Sequence, residues 1–266
     1  MQKLLEIGGY SWNVWDQGHG ETVLLVHGFP LDHTMWRGQI DGLAADYRVV
    51  APDLRGFGRS QVSPGTVTME QFADDLAALL DGLAIREPVT LCGLSMGGYI
   101  AWQFWRRHPG RLRRLILCDT RAAADAPEVA RGRLDTAQRV LREGGQFLAE
   151  TMTERLFAPI TRRDRPDLVE ATQAVMRACD PQGVAAALRG MAARADATDF
   201  LPRIRVPTLV VCGEHDAIST VTEMRGLATA IPGARFLAVS DAGHMAPLEQ
   251  PDVVNGAIRD FLAGSP

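Results

Sequence analysis

The sequence predicts an α/β protein built on a mostly parallel eight-stranded sheet flanked by helices, with an inserted helical cap. Short apolar runs alternate with longer amphipathic stretches along most of the chain. Each run is rich in Val, Leu or Ile and is bounded by Gly, Pro or Asp. The alternation breaks once, over about 80 residues that contain helical patterns and no strand pattern.

In chain order, Leu4–Ile7 and Ser11–Asp16 read as an antiparallel edge pair. Thr22–His27, Tyr47–Ala51, Val89–Gly93, Arg114–Cys118, Thr208–Gly213 and Arg235–Val239 read as the strands of a mostly parallel sheet, each rich in Val, Leu or Ile. Helical periodicity over Met69–Leu83, Met96–His108, Thr222–Ala230 and Asp252–Leu262 supplies the crossovers that cover the sheet. The strandless block from Arg121 to Leu201 reads as a cap of four short helices. Asp180-Pro181 is an N-cap and first-turn pair within it, and Gly144-Gly145 is a helix stop. Residues 1–120 and 202–266 are therefore expected to form the core, and 121–201 the cap. The cap's arginines are read as solvated charges on amphipathic faces.

A hydrophobic share of 46% with 23% charged residues is that of an ordinary globular protein. Its 28 basic and 32 acidic side chains leave a net charge of -4, which argues against nucleic acid as a partner. Met1–Glu6 has no apolar h-region, and no later run approaches bilayer length, so a cytoplasmic protein with no membrane partner is expected. Cys92, Cys118, Cys179 and Cys212 are far apart and fit no zinc spacing, and buried reduced thiols are expected. His27 and His33 form no metal-binding cluster, and Gly56-Phe57-Gly58 lacks a dinucleotide fingerprint and reads as a turn. No cofactor and no metal are expected. Trp102 and Trp105 are assigned to helix packing.

The chemistry concentrates at Gly93-Leu94-Ser95-Met96-Gly97, a G-x-S-x-G pentapeptide that follows one predicted strand and opens one predicted helix. A serine on so sharp a turn is exposed in a strained backbone conformation, and its neighbours must be small for strand and helix to approach. Beyond the last two predicted strands lie Gly213-Glu214-His215-Asp216 and Asp241-Ala242-Gly243-His244. The order Ser, Asp, His, each at the carboxyl edge of the sheet, makes Ser95 the candidate nucleophile, His244 its base and Asp216 the acid that orients it. Asp119, after the strand ending at Cys118, is the alternative acid, and Asp241 is expected to shape the histidine loop.

With His27-Gly28-Phe29-Pro30 and Asp53-Leu54-Arg55-Gly56-Phe57-Gly58-Arg59-Ser60, these motifs resemble the α/β-hydrolase superfamily from about Glu21 to the C-terminus. Within it, the chain is similar to small bacterial carboxylesterases and to the 3-oxoadipate enol-lactonase group. The resemblance implies the α/β-hydrolase fold and an oxyanion hole made by the backbone N–H groups of Phe29 and Met96. It implies a small-molecule ester or lactone as substrate. A carboxylesterase is the first expectation and a lactonase the second, acting on an enol-lactone or an N-acyl-homoserine lactone. C–C hydrolase, perhydrolase and ligand-hydrolysing receptor follow.

Overall fold

The computed structural model describes residues 1–264. Eight strands form: β1 (Gln2–Ile7), β2 (Tyr10–Gln17), β3 (Thr22–Val26), β4 (Arg48–Pro52), β5 (Val89–Leu94), β6 (Leu112–Cys118), β7 (Thr208–Gly213) and β8 (Arg235–Val239). They make one sheet in the order β1-β2-β4-β3-β5-β6-β7-β8. The β1–β2 and β2–β4 pairs are antiparallel and all later pairs are parallel. The strands match the expected runs to within a few residues; β3, β5 and β7 are buried at every position and leave an unbroken apolar signature, whereas β1 and β8 at the two sheet edges are partly exposed.

The two-residue period of a strand sends alternate side chains into separate cores. Leu24, Val26, Leu91, Leu115, Leu117 and Val210 enter one core, while Val23, Leu25, Cys92, Ile116, Leu209 and Val211 enter the other. Helices α2 (Met69–Gly82), α3 (Met96–Arg107) and α9 (Val221–Ala230) contribute to the first core. The second is closed by α1 (Arg37–Leu43), α10 (Ala246–Glu249) and α11 (Pro251–Ala263). Side chains begin the helices where the sequence supplies them. Thr68 Oγ1 accepts from Gln71 N–H at 3.2 Å to cap α2, and Thr220 Oγ1 accepts from Glu223 N–H at 3.3 Å to cap α9.

The block between β6 and β7 contains five helices, not the four expected: α4 (Pro127–Glu143), α5 (Gln146–Leu156), α6 (Pro159–Asp164), α7 (Pro166–Ala178) and α8 (Pro181–Ala192). Four of them start on a proline, whose missing N–H costs nothing in a first turn. The six-residue α6 is too short to show a helical period, and its Pro159 is the sign that separates it. Asp180 caps α8 by accepting from Gln182 N–H at 2.7 Å, and Gly144 ends α4 with φ 78°. The helices α1 and α10 carry no long apolar period, and the sequence reading has no counterpart for either.

Close backbone approach docks the helical block on the core. A Cβ on Gly183 of α8 would lie 1.9 Å from the Gly56 carbonyl oxygen, and one on Gly190 would lie 1.8 Å from that of Val67. Val67 N–H donates to Ala186 O at 3.2 Å in the same seam. The arginines here are not all solvated as expected. Arg194 is buried and, together with Arg133, grips Asp125 at 2.7 and 2.6 Å, while its guanidinium covers the Tyr99 ring at 4.1 Å. Those cations hold Asp125 below the usual carboxylate range despite the opposing effect of its burial.

The four cysteines are free and buried, as expected. Trp102 packs as expected and also donates from Nε1 to Arg121 O at 2.8 Å. Among the described residues no helix is long and apolar enough to cross a membrane.

Candidate active site

Ser95 sits between β5 and α3 with φ 53° and ψ -111°, a conformation that strongly disfavours a side-chain-bearing residue. Neighbours on the sheet hold it there. Its N–H donates to Cys118 O at 3.0 Å, and its carbonyl accepts from Thr120 Oγ1 at 2.7 Å. The flanking glycines are demanded by contact: a Cβ on Gly93 would lie 2.4 Å from Gly97 O, and one on Gly97 would lie 2.3 Å from Val26 O. The G-x-S-x-G pattern is thus a packing requirement of the turn that lifts Ser95 to the sheet edge.

The loop after β3 passes beside this turn, since a Cβ on Gly28 would stand 3.6 Å from Ser95 Cβ. His27 anchors the loop. Its Nδ1–H donates to Gly28 O at 2.9 Å and its Nε2 accepts from Leu54 N–H at 2.9 Å, while complete burial lowers its pKa. His27 is therefore a neutral structural imidazole. Among the described residues the N–H groups of Phe29 and Met96 donate to no protein acceptor.

The Asp53–Ser60 motif proves architectural. Asp53 accepts from His33 N at 2.9 Å, His33 Nδ1 at 2.6 Å, Asn13 Nδ2 at 2.7 Å and Arg59 N at 2.9 Å. Burial works to raise its pKa, but His33 and the other donors bring it below its ordinary value. His33 moves the opposite way: burial disfavours its charged form, yet the bond to Asp53 raises its pKa.

After β7, Asp216 is buried and fully engaged. Its Oδ1 accepts from Ile218 N–H at 2.7 Å and Ser219 N–H at 3.0 Å, and its Oδ2 lies 2.8 Å from His244 Nδ1. Among the described residues Nε2 of His244 has no protein hydrogen-bond partner. Asp119 makes no bond to His244. Its Oδ1 accepts from Gly213 N–H at 2.8 Å, its Oδ2 has no partner, and burial and then the Asp216 charge push its pKa well above the usual range. The structure thus pairs His244 with Asp216, the favoured acid, rather than with Asp119. Asp241 is exposed, with φ 57°, in the turn that delivers the histidine.

Glu249, which the sequence reading does not single out, ties the histidine loop to the inserted helices. Its Oε1 accepts from Gly243 N–H at 2.7 Å; its Oε2 accepts from Ala158 N–H at 2.8 Å and Thr161 Oγ1 at 2.6 Å. It is 3% exposed. Burial pushes its pKa up, against these donors. The sequence signal is a lone carboxylate closing the run Met245-Ala246-Pro247-Leu248.

Two groups of donors lie within 4.8 Å of one another, Asp32–His33–Asp53 and Asp119–Cys212–Asp216. In the first group Asp53, and in the second Asp216, already spends both carboxylate oxygens on internal hydrogen bonds.

Ser95 and His244 open into one cleft of about 610 Å³ between the sheet edge and the inserted helices. Phe29, Leu148, Met152 and Leu188 give it apolar walls. Arg121, Arg133, Arg139 and Arg155 also line it.

A family model described as alpha/beta hydrolase fold matches residues 21–251. The chain is similar to 3-oxoadipate enol-lactonase 2 of Acinetobacter baylyi, 32% identical over 229 residues that cover 86% of this chain and 84% of the relative. Among solved structures it resembles an esterase from Thermogutta terrifontis, determined with malate bound. Here the identity is 47%, the TM-score 0.96, and the cover 98% of each chain. The enol-lactonase of Burkholderia xenovorans is 32% identical with a TM-score of 0.91, covering 98% of this chain and 100% of that one.

Proposed function

The chain belongs to the α/β-hydrolase-fold family, and from that premise we propose that it is a serine hydrolase cleaving small-molecule carboxylic esters through an acyl-enzyme on Ser95. The 2.8 Å contact between His244 Nδ1 and Asp216 Oδ2 carries the reading. It fixes the tautomer in which Nε2 is free to take a proton, on a residue that shares a cleft with a strained, half-buried serine.

In the first step His244 Nε2 takes the Ser95 proton as Oγ bonds to the ester carbonyl carbon. The negative charge that develops on the carbonyl oxygen is met by the N–H groups of Phe29 and Met96, a term worth about 3 kcal/mol per donor. Collapse breaks the bond to the alcohol oxygen, which leaves with the proton from His244. Water then repeats the sequence and frees the acid. Asp216 holds the imidazole and stabilises its charged form. Residues 121–201 serve as the cap that shapes the acyl and alcohol pockets, docked through the Gly56–Gly183 seam and the Glu249 bonds.

A lactonase is the second reading, favoured by relatives named enol-lactonase. A lactone follows the same steps with its alcohol still tethered, so wall shape alone separates the two. Initial rates on nitrophenyl esters and on a matched series of lactones, with Ser95→Ala beside the wild type, decide it. The proposal expects Ser95→Ala to lose turnover on the order of a millionfold. A loss of only tenfold would overturn the role of Ser95.

A further inference from the structure

The charged side chains lining the cleft beside Ser95 and His244 are four arginines, with no carboxylate among the lining residues. That is unexpected in a chain of net charge -4. Gathering like charges around a low-dielectric cleft is unfavourable unless an anion answers them, and such walls focus a positive potential on whatever enters. Three of the four are partly answered within the chain. Arg121 pairs with Glu223 at 3.0 Å, Arg133 with Asp125 at 2.6 Å and Arg139 with Glu143 at 2.7 Å.

Arg155 differs: it is exposed, and among the described residues its side chain makes no hydrogen bond and no ion pair. It lies near the end of α5, directly before the Leu156–Ala158 segment that touches Gly243, the residue preceding His244. Arg139 spreads over the Phe147 ring at 3.8 Å, which stiffens a second guanidinium on the same wall.

We infer that this cleft contains an anion subsite centred on Arg155, with Arg139 in support, that binds a carboxylate carried by the substrate while its ester lies at Ser95. The inference rests on the ester-hydrolase reading for its orientation, but its binding component is measurable without turnover. The substrate class is an ester or lactone with an apolar chain that ends in a carboxylate. The guanidinium suits that group because its planar fork can meet both carboxylate oxygens at once.

The experiment compares nitrophenyl half-esters of glutaric and pimelic acid with nitrophenyl esters of pentanoic and heptanoic acid, at low and high salt. Glutarate and pimelate are also titrated calorimetrically into the same protein. The half-esters are expected to be favoured about tenfold in kcat/KM, mainly through KM, and the preference is expected to shrink as salt screens the exposed cations. Arg155→Gln is expected to cut the charged-to-neutral ratio about fivefold and weaken dicarboxylate binding by a similar factor, while Arg155→Lys, which keeps the charge but loses the planar fork, falls between the wild type and Arg155→Gln in both. Fast Ser95-dependent turnover of neutral esters with no charge preference, no salt slope and no dicarboxylate binding would overturn the subsite and leave the hydrolase reading standing. Dicarboxylate binding that depends on Arg155 without hydrolysis of any ester would support the subsite and defeat the hydrolase reading instead.

Discussion

Replacing Glu249 by alanine is expected to loosen the histidine loop and the inserted helices together. Three donors lose their acceptor at once: Gly243 N–H at 2.7 Å, Ala158 N–H at 2.8 Å and the Thr161 hydroxyl at 2.6 Å. The hydroxyl can rotate towards another acceptor, but the two backbone N–H groups are fixed in a buried site. An orphaned buried donor costs about 1–3 kcal/mol. Burying a carboxylate is itself unfavourable, as its raised pKa reflects, and its removal recovers part of that loss. The net expectation is a destabilisation of about 3 kcal/mol. Because Gly243 immediately precedes His244, a shift of about 1 Å in the loop would lower kcat about a hundredfold. Urea unfolding followed by tryptophan fluorescence, with ester turnover on the same samples, measures both. Thr161→Val, which removes one donor, is expected to cost about 1 kcal/mol in the wild type and almost nothing beside Glu249→Ala. If Glu249→Ala unfolds within about 0.5 kcal/mol of the wild type and keeps its turnover, the carboxylate does not couple the two segments.

The backbone of Ser95 predicts that Ser95→Gly melts higher than the wild type by about 1 kcal/mol of stability while losing activity, and that Ser95→Ala gains nothing. Equal melting of the two variants would remove the strain from the account. Asp216→Asn is expected to lower kcat roughly ten-thousandfold by releasing the imidazole tautomer. Asp119→Asn, which keeps an acceptor for Gly213 N–H, is expected to stay within about tenfold of the wild type, and steady-state kinetics on both variants separates the two carboxylates. The His33–Asp53 pair makes stability depend on pH. The raised His33 pKa means that its contribution is complete below 6.5 and is lost as pH rises through the folded value. The lowered Asp53 pKa means that its contribution is complete above 3.8 and is lost as pH falls through the folded value. Melting temperature is therefore expected to fall less on the alkaline side in His33→Asn than in the wild type; parallel profiles would show that the pair carries no such linkage.

The parts legible in the sequence are those whose physics is local. Doubly buried strands announce themselves as aliphatic runs, and the glycines around Ser95 announce a turn in which a Cβ would strike the backbone of Val26 or Gly97. The order of Ser95, Asp216 and His244 follows because each lies just beyond a strand, so the sheet itself collects them. What the sequence hides is long-range pairing. Glu249 finds Ala158 and Thr161 about 90 residues away, and the short apolar run before it does not reveal those partners. Arg194 likewise reads as a solvated charge until Asp125 and Tyr99 meet it across the fold. The number of inserted helices is a different case: the helix-starting prolines were available as boundaries, but a six-residue helix gives the hydrophobic period too little length to register.

Whether Ser95 carries the acyl group is decided by mixing excess nitrophenyl ester with the protein in a stopped-flow instrument and then mapping the quenched protein by mass spectrometry. A burst of about one equivalent of nitrophenol and an acyl adduct on the peptide that contains Ser95 are expected, both absent in Ser95→Ala. Undiminished turnover in Ser95→Ala, or an adduct on another residue, would contradict an acyl-enzyme on Ser95.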